Sequence, residues 1–144
     1  MKDYKTIVLK IGSALISGDE NISDKLIKSI TGQINNFIKK GINFVIVTSG
    51  AISQGQKILN INEKPNELES LQALAAIGQQ QLMGMYERSF QDYNLLTAQV
   101  LLTHDDMNNV QRYSNAKATI KKILSMDVVP IVNENDVVAT DEIK

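Results

Sequence analysis

Four short stretches bring together side chains that could do chemistry. Lys10-Ile11-Gly12-Ser13 joins a cation to a glycine, where backbone can approach a ligand, and to a hydroxyl that can donate to one. Thr48-Ser49-Gly50-Ala51 sets two hydroxyls and a glycine before an expected helix, whose free N–H groups would point toward an anion. Thr103-His104-Asp105-Asp106 is the third stretch. Asn133-Glu134-Asn135-Asp136 is the fourth, and its carboxamides and carboxylates suit an ammonium and the polar atoms of an amino acid. Each stretch also has a plainer reading. Thr48 or Ser49 caps a helix while Gly50 relieves a tight turn, Lys10 is a surface charge at a sheet edge, and the last stretch is an Asx-rich turn. For Lys10 the chemical reading is a point charge that neutralises phosphoryl oxygens. His104 has no second histidine and no cysteine near it, and reads as a loop or capping residue. Neither glycine-bearing stretch has the GxxxxGK[ST] spacing of a P-loop.

These stretches gain weight from where they fall. Thr6 to Leu9 is a β-branched, apolar run that predicts a strand entering a loop with Ser13, Ser17 and Gly18. Ser23 offers an N-cap, and Leu26, Ile27, Ile30, Ile34, Phe37 and Ile38 recur at helical spacing until Gly41 supplies the stop. Phe44 to Val47 predicts the second strand. Asn60 to Asn66, with Pro65, predicts a loop between two helices, the second running from Leu68 to about Tyr93 with Gly78 and Gly84 placed for close packing. Leu95 to Leu102 predicts a strand, Asn108 to Leu124 a helix and Val128 to Val132 a strand. This order predicts an α/β fold, a three-layer αβα sandwich with a mainly parallel central sheet. In such sheets ligands bind outside the carboxyl ends of the strands, where the four stretches lie.

Bulk composition removes several classes of function. With 144 residues, 43% of them hydrophobic, the chain can bury a core of its own. A net charge of -1, from 15 basic and 16 acidic residues, provides no basic field to attract nucleic acid or anionic lipid. Zero cysteines and one histidine exclude disulfides, thiolate metal sites and histidine-rich metal sites. The apolar run after Met1-Lys2-Asp3-Tyr4-Lys5 stops at Lys10, far short of a secretory core or a membrane span, so a cytoplasmic location is expected.

Taken in order, Val8-Leu9-Lys10-Ile11-Gly12-Ser13, Ile46-Val47-Thr48-Ser49-Gly50-Ala51-Ile52, Ala73-Leu74-Ala75-Ala76-Ile77-Gly78-Gln79, Ala98-Gln99-Val100-Leu101-Leu102-Thr103 and Val129-Pro130-Ile131-Val132-Asn133-Glu134-Asn135-Asp136 resemble the amino acid kinase family over the whole chain. The first motif is shared widely in that family; VTSGAI together with NEND points to its glutamate kinase branch. The resemblance implies transfer of the γ-phosphoryl of ATP, with Mg2+, to the side-chain carboxylate of L-glutamate, giving glutamyl 5-phosphate at the first step of proline biosynthesis. It implies that Lys10 is catalytic and contacts the nucleotide phosphates, with Gly12 and Ser13 beside it. Ser49, Gly50 and Ala51 would receive the glutamate side of the reaction, and Asn133 and Asp136 would bind glutamate. No residue is assigned to a metal. Such a transfer relies on positioned cations and amides rather than a covalent nucleophile.

The family also implies proline as a possible feedback inhibitor and assembly as a homo-oligomer. Its later segment, with an acidic and asparagine-containing loop, a nucleotide-base site and a second lysine, has no counterpart up to Lys144. Val137 to Lys144 lacks the polar taper of a natural terminus. Residues 1–144 are therefore expected to be the amino-acid-binding part of an amino acid kinase domain, cut before its nucleotide-binding half and with little turnover of its own. Two alternatives stand beside this. One is a related acetylglutamate, aspartate or nucleoside monophosphate kinase, against which Asn133 and Asp136 count because they suit a free ammonium that an acetylated substrate lacks. The other is a non-catalytic binding or oligomerisation module, with the long helix after Leu68 pairing with a copy of itself.

Overall fold

The apolar runs become four parallel strands, β1 (Thr6–Ile11), β2 (Asn43–Thr48), β3 (Leu96–Leu102) and β4 (Val128–Glu134), in the spatial order β1-β2-β4-β3. They belong to a computed structural model that describes residues 5–16, 18 and 20–139. Among the described residues six helices connect them: α1 (Ser13–Ile16), α2 (Glu20–Ile38), α3 (Ala51–Leu59), α4 (Leu68–Gln91), α5 (His104–Asn108) and α6 (Val110–Leu124). Helices lie on both sides of the sheet, as the alternation of elements predicts.

Burial follows sheet position. The central strands carry unbroken buried runs, Phe44-Val45-Ile46 and Val129-Pro130-Ile131, whereas edge strand β1 alternates, with Thr6, Val8 and Lys10 on its exposed face. Pro130 has no N–H to donate, and the β2–β4 ladder pairs only Ile46 with Ile131 and Val47 with Val132, just beyond it. The core joins these strands to Ile27 and Ile34 of α2 and to Leu82, Met85, Tyr86 and Phe90 of α4.

Left-handed residues end the helices and aim the chain into the next segment. Gly41 (φ 82°) closes α2, where Ile42 N–H donates to Phe37 O and Gly41 N–H to Ile38 O. Asn60, Asn94 and Asp127, with φ of 55°, 56° and 57°, follow α3, α4 and α6. Asparagine and aspartate tolerate this region better than other side chains.

The structure alters some sequence expectations. β1 runs on to Ile11, so Lys10 lies within the strand, paired with Val47. The expected loop at Ser13 contains the single turn α1, and Ser17 lies outside the described residues, as do 1–4 and 140–144. Ser23 does not cap α2: the helix starts at Glu20, and the Ser23 hydroxyl is buried and donates to Ile16 O. The helix expected from Asn108 to Leu124 is α6, which starts at Val110, and the stretch before it, read as a loop at His104, holds the short helix α5. Asn109 accepts from Arg112 N–H to start α6, while Thr103 and Asp106 form a reciprocal capping box at the start of α5. Gly78 is a close-packing site, since a Cβ there would collide with Ala51 O and Gly55 N of α3. Gly84 is not, because a Cβ there would meet only the flexible end of Arg88 at 3.0 Å.

Candidate functional site

Because all four strands are parallel, their carboxyl ends share one edge of the sheet. Ile11 pairs with Thr48, Val47 with Val132 and Leu102 with Glu134, so register brings all four stretches singled out by sequence to this edge. A cleft of about 420 Å³ opens along this edge. Lys10, Ser49, Gly50, Asn133 and Asp136 all line it. Thr48, Thr103, His104, Met107 and Glu134 complete much of the wall. A cation on the β1 side thus lines the same cleft as the amide and carboxylate groups at the end of β4.

The helix that opens from this edge has free amides. Gly50 is the N-cap residue of α3 with φ 107°, a left-handed conformation suited to glycine, and among the described residues no side-chain cap bond is made there. The reading of Thr48 as a cap therefore fails: its hydroxyl lies 2.8 Å from the Tyr86 hydroxyl instead. Tyr86 is buried, and burial pushes its phenol up to about 12, an effect partly opposed by the hydrogen bond to Thr48.

α4 reaches the site twice. Tyr86 holds Thr48, and two turns earlier Gln79 Oε1 accepts from Asn133 Nδ2 at 2.7 Å. Asn133 is itself only 5% exposed. α3 crosses α4 at small residues, because at Gly55 a Cβ would collide with Leu74 O, and at Gly78 with Ala51 O. This close crossing brings α4 near enough to touch both strand ends.

The loop after β1 is held differently. Ile16 O accepts from Gln54 Nε2 (3.1 Å), Ser23 Oγ (3.2 Å) and Lys57 Nζ (3.5 Å), while Lys57 Nζ also donates to Gly18 O at 2.6 Å. These donors come from α2 and α3, so they tie the far end of the loop to both helices. Its near end is open: a Cβ at Gly12 would meet nothing within 4 Å. Ser13 Cα would lie 3.7 Å from a Cβ on Gly50, which sets the β1 loop against the start of α3.

Comparison with known proteins identifies the family and the fold. The sequence profile of the amino acid kinase family matches residues 5–144. The chain belongs to the amino acid kinase family. It is 42% identical over 141 residues to a glutamate 5-kinase of Prochlorococcus marinus (strain MIT 9301), an alignment covering 97% of this chain and 39% of that protein. It is 45% identical over 139 residues to a glutamate 5-kinase of Marinomonas sp. (strain MWYL1), covering 96% of this chain and 37% of that protein. The chain thus spans about two-fifths of the length of these relatives. Among solved structures, carbamate kinase from Giardia lamblia bound to AMP-PNP shares the fold, with a TM-score of 0.59 at 14% identity, covering 96% of this chain and 63% of that one.

Within this family fold, the expected site residues do not all stand in one place. Lys10, Ser49, Gly50, Asn133 and Asp136 share the cleft; Gly12 and Ser13 sit in the adjoining loop, and Ala51 is buried beneath α4 and does not line the cleft. Sequence reasoning assigned no role to Tyr86 and Gln79, which reach the strand ends from α4, a helix distant in the chain, nor to Gln54, which ties α3 to the β1 loop. It also missed the Thr103-x-x-Asp106 spacing, the usual sign of a capping box. Asp106 accepts from Thr103 N–H (2.6 Å) and Thr103 Oγ1 (2.9 Å) and pairs with Arg112 at 2.6 Å. These contacts, the Thr103 backbone bond first, hold its carboxyl below the ordinary aspartate value. Asp106 is therefore committed to structure. Among the described residues no group of three or more His, Cys, Asp or Glu could hold a metal ion, and no helix is long and apolar enough to cross a membrane.

Proposed function

We propose that the chain is the amino-acid-binding lobe of a cytoplasmic glutamate 5-kinase, which phosphorylates the γ-carboxylate of L-glutamate with ATP in proline biosynthesis. The observation that carries this reading is the convergence of Lys10, Ser49, Gly50, Asn133 and Asp136 on one cleft at the carboxyl edge of the sheet. Glutamate has two anionic ends and one cationic centre. The uncapped amides at the start of α3, with Ser49, suit its γ-carboxylate. Asn133 and Asp136 suit its ammonium.

In the reaction a γ-carboxylate oxygen forms a bond to the γ-phosphorus of ATP as the bond from that phosphorus to the β–γ bridging oxygen breaks. ADP leaves with the electron pair, and no proton need move. ATP supplies the phosphoryl group; the chain's own residues orient the acceptor and neutralise charge. Lys10, at the cleft wall, balances charge on the phosphoryl oxygens in flight. Gly12 and Ser13 offer open backbone and a hydroxyl to the other phosphates. The described residues assign no protein ligand to Mg2+, which would arrive on the nucleotide phosphates with most of its remaining positions filled by water.

The test is ligand-induced stabilisation together with turnover in the full-length protein. L-Glutamate should raise the Tm, and N-acetylglutamate and aspartate should not. Stabilisation by N-acetylglutamate and not by glutamate would overturn the free-amino-acid reading, and stabilisation by aspartate and not by glutamate would overturn the choice of glutamate. ADP release that does not depend on glutamate would overturn the kinase reading.

A further inference from the structure

Gln79 lies in the Ala75-Ala76-Ile77-Gly78-Gln79 segment of α4, and none of the chemistry above uses it directly. It is nevertheless joined to the cleft. Its Oε1 accepts from Asn133 Nδ2 at 2.7 Å, across 54 residues of sequence. Its own Nε2 is buried and has no hydrogen-bond partner among the described residues. Folded proteins rarely leave a buried donor unmet, because losing its water without a replacement is unfavourable. An apolar side chain of similar size would carry no such donor, so the use of glutamine here lies in its acceptor end.

The acceptor end fixes which way the Asn133 amide faces. Asn133 closes β4 on the cleft wall and is almost fully buried, and its Nδ2 is turned toward α4 by Gln79. Its Oδ1, which can only accept, is then the end left for the cleft. A carbonyl oxygen there favours a ligand bearing hydrogen-bond donors and disfavours one that brings only acceptors to the same place.

We infer that Gln79 is a specificity-positioning residue: by accepting from Asn133 Nδ2 it holds Asn133 Oδ1 toward the substrate and so selects a carboxylate substrate with a free ammonium over one without it. This rests on the proposed glutamate site.

The test compares L-glutamate with glutarate, the same dicarboxylate lacking the amine, in full-length wild type, Gln79→Leu and Gln79→Glu. Gln79→Leu should raise the KM for glutamate about tenfold and lower the glutamate-to-glutarate preference in kcat/KM by a similar factor, leaving the KM for ATP unchanged. Gln79→Glu can still accept from Asn133 Nδ2 and should keep the preference within about threefold of wild type. That split and rescue are not expected of a residue that only supports packing. If Gln79→Leu does not fold, Gln79→Met takes its place with the same expected loss. A wild type that prefers glutamate, with Gln79→Leu or Gln79→Met retaining that preference, overturns this inference alone. So does loss of preference in Gln79→Glu equal to that in the apolar variant, which would put the function in the buried Nε2. A wild type that neither binds nor turns over glutamate overturns the proposed function and this inference with it.

Discussion

The two walls of the cleft are supported by different means. On the β1 side, Lys10 is exposed and Gly12 stands in open space, while the loop beyond them is anchored at two backbone carbonyls, Ile16 O by Gln54, Ser23 and Lys57, and Gly18 O by Lys57. On the side formed by β2 and β4, the residues at the strand ends are buried and held through their side chains by one helix, Thr48 by Tyr86 and Asn133 by Gln79. The first wall can change side chains without disturbing the core, whereas the second shares its residues with the core. Function and stability should therefore separate on the β1 side and stay coupled on the α4 side.

Substitution of Lys10 should give the largest effect on function. Lys10→Ala in the full-length protein should reduce kcat by about 10²- to 10³-fold, the scale of losing one charge-stabilising group, while the Tm and glutamate binding stay as in wild type. A loss of glutamate binding with kcat retained would move Lys10 to the acceptor side and break the contrast. The strongest effect on stability belongs to the crossing that sets α4 in place. Gly78→Ala drives a methyl group into Ala51 O and Gly55 N, and overpacking against backbone should cost about 3 kcal/mol or prevent folding. Urea unfolding measures it.

Tyr86→Phe should cost about 1–2 kcal/mol by leaving the Thr48 hydroxyl without its buried partner. The same residue gives a pH test. Its phenol has a folded-state value of about 12 against 10.0 for the free side chain, so its contribution is fully present below pH 10 and is lost as pH rises from there toward 12. Wild type should lose stability over that range more steeply than Tyr86→Phe, as shown by denaturant midpoints at stepped pH. The smallest effect on stability is expected at Gly12. Gly12→Ala adds a methyl where nothing lies within 4 Å, so stability should stay within about 0.5 kcal/mol. The KM for ATP should nevertheless rise if phosphates approach this backbone. A large loss of stability there would show that the β1 loop is as tightly packed as the α4 side.

The same division explains what could be read without coordinates. Strands showed themselves as apolar runs, and the polar stretches after them as candidate ligand sites, because both signals are local and periodic. Gly41 as a helix stop and Gly78 as a packing site were legible for the same reason. Ser23 misled because a serine at the start of an amphipathic pattern has the composition of a cap, while its burial and bond to Ile16 O depend on where α1 lies. β1 and β4 extend beyond their apolar cores because Lys10 pairs with Val47 and Glu134 with Leu102, pairings decided by neighbouring strands. The left-handed stops at Asn60, Asn94 and Asp127 had a usable signal, an Asn or Asp just beyond each helix.

The sequence by itself determined the strands and the longer helices, the α/β class, the family and which polar stretches follow the strands, since hydrophobic period, turn chemistry and short motifs are properties of adjacent residues. Only the tertiary structure decided that β4 sits between β2 and β3, which brings Asn133 and Asp136 onto the same cleft as Lys10 and Ser49. It alone decided that α4 touches Thr48 and Asn133, because those hydrogen bonds span 38 and 54 residues and no local pattern encodes a contact at that separation.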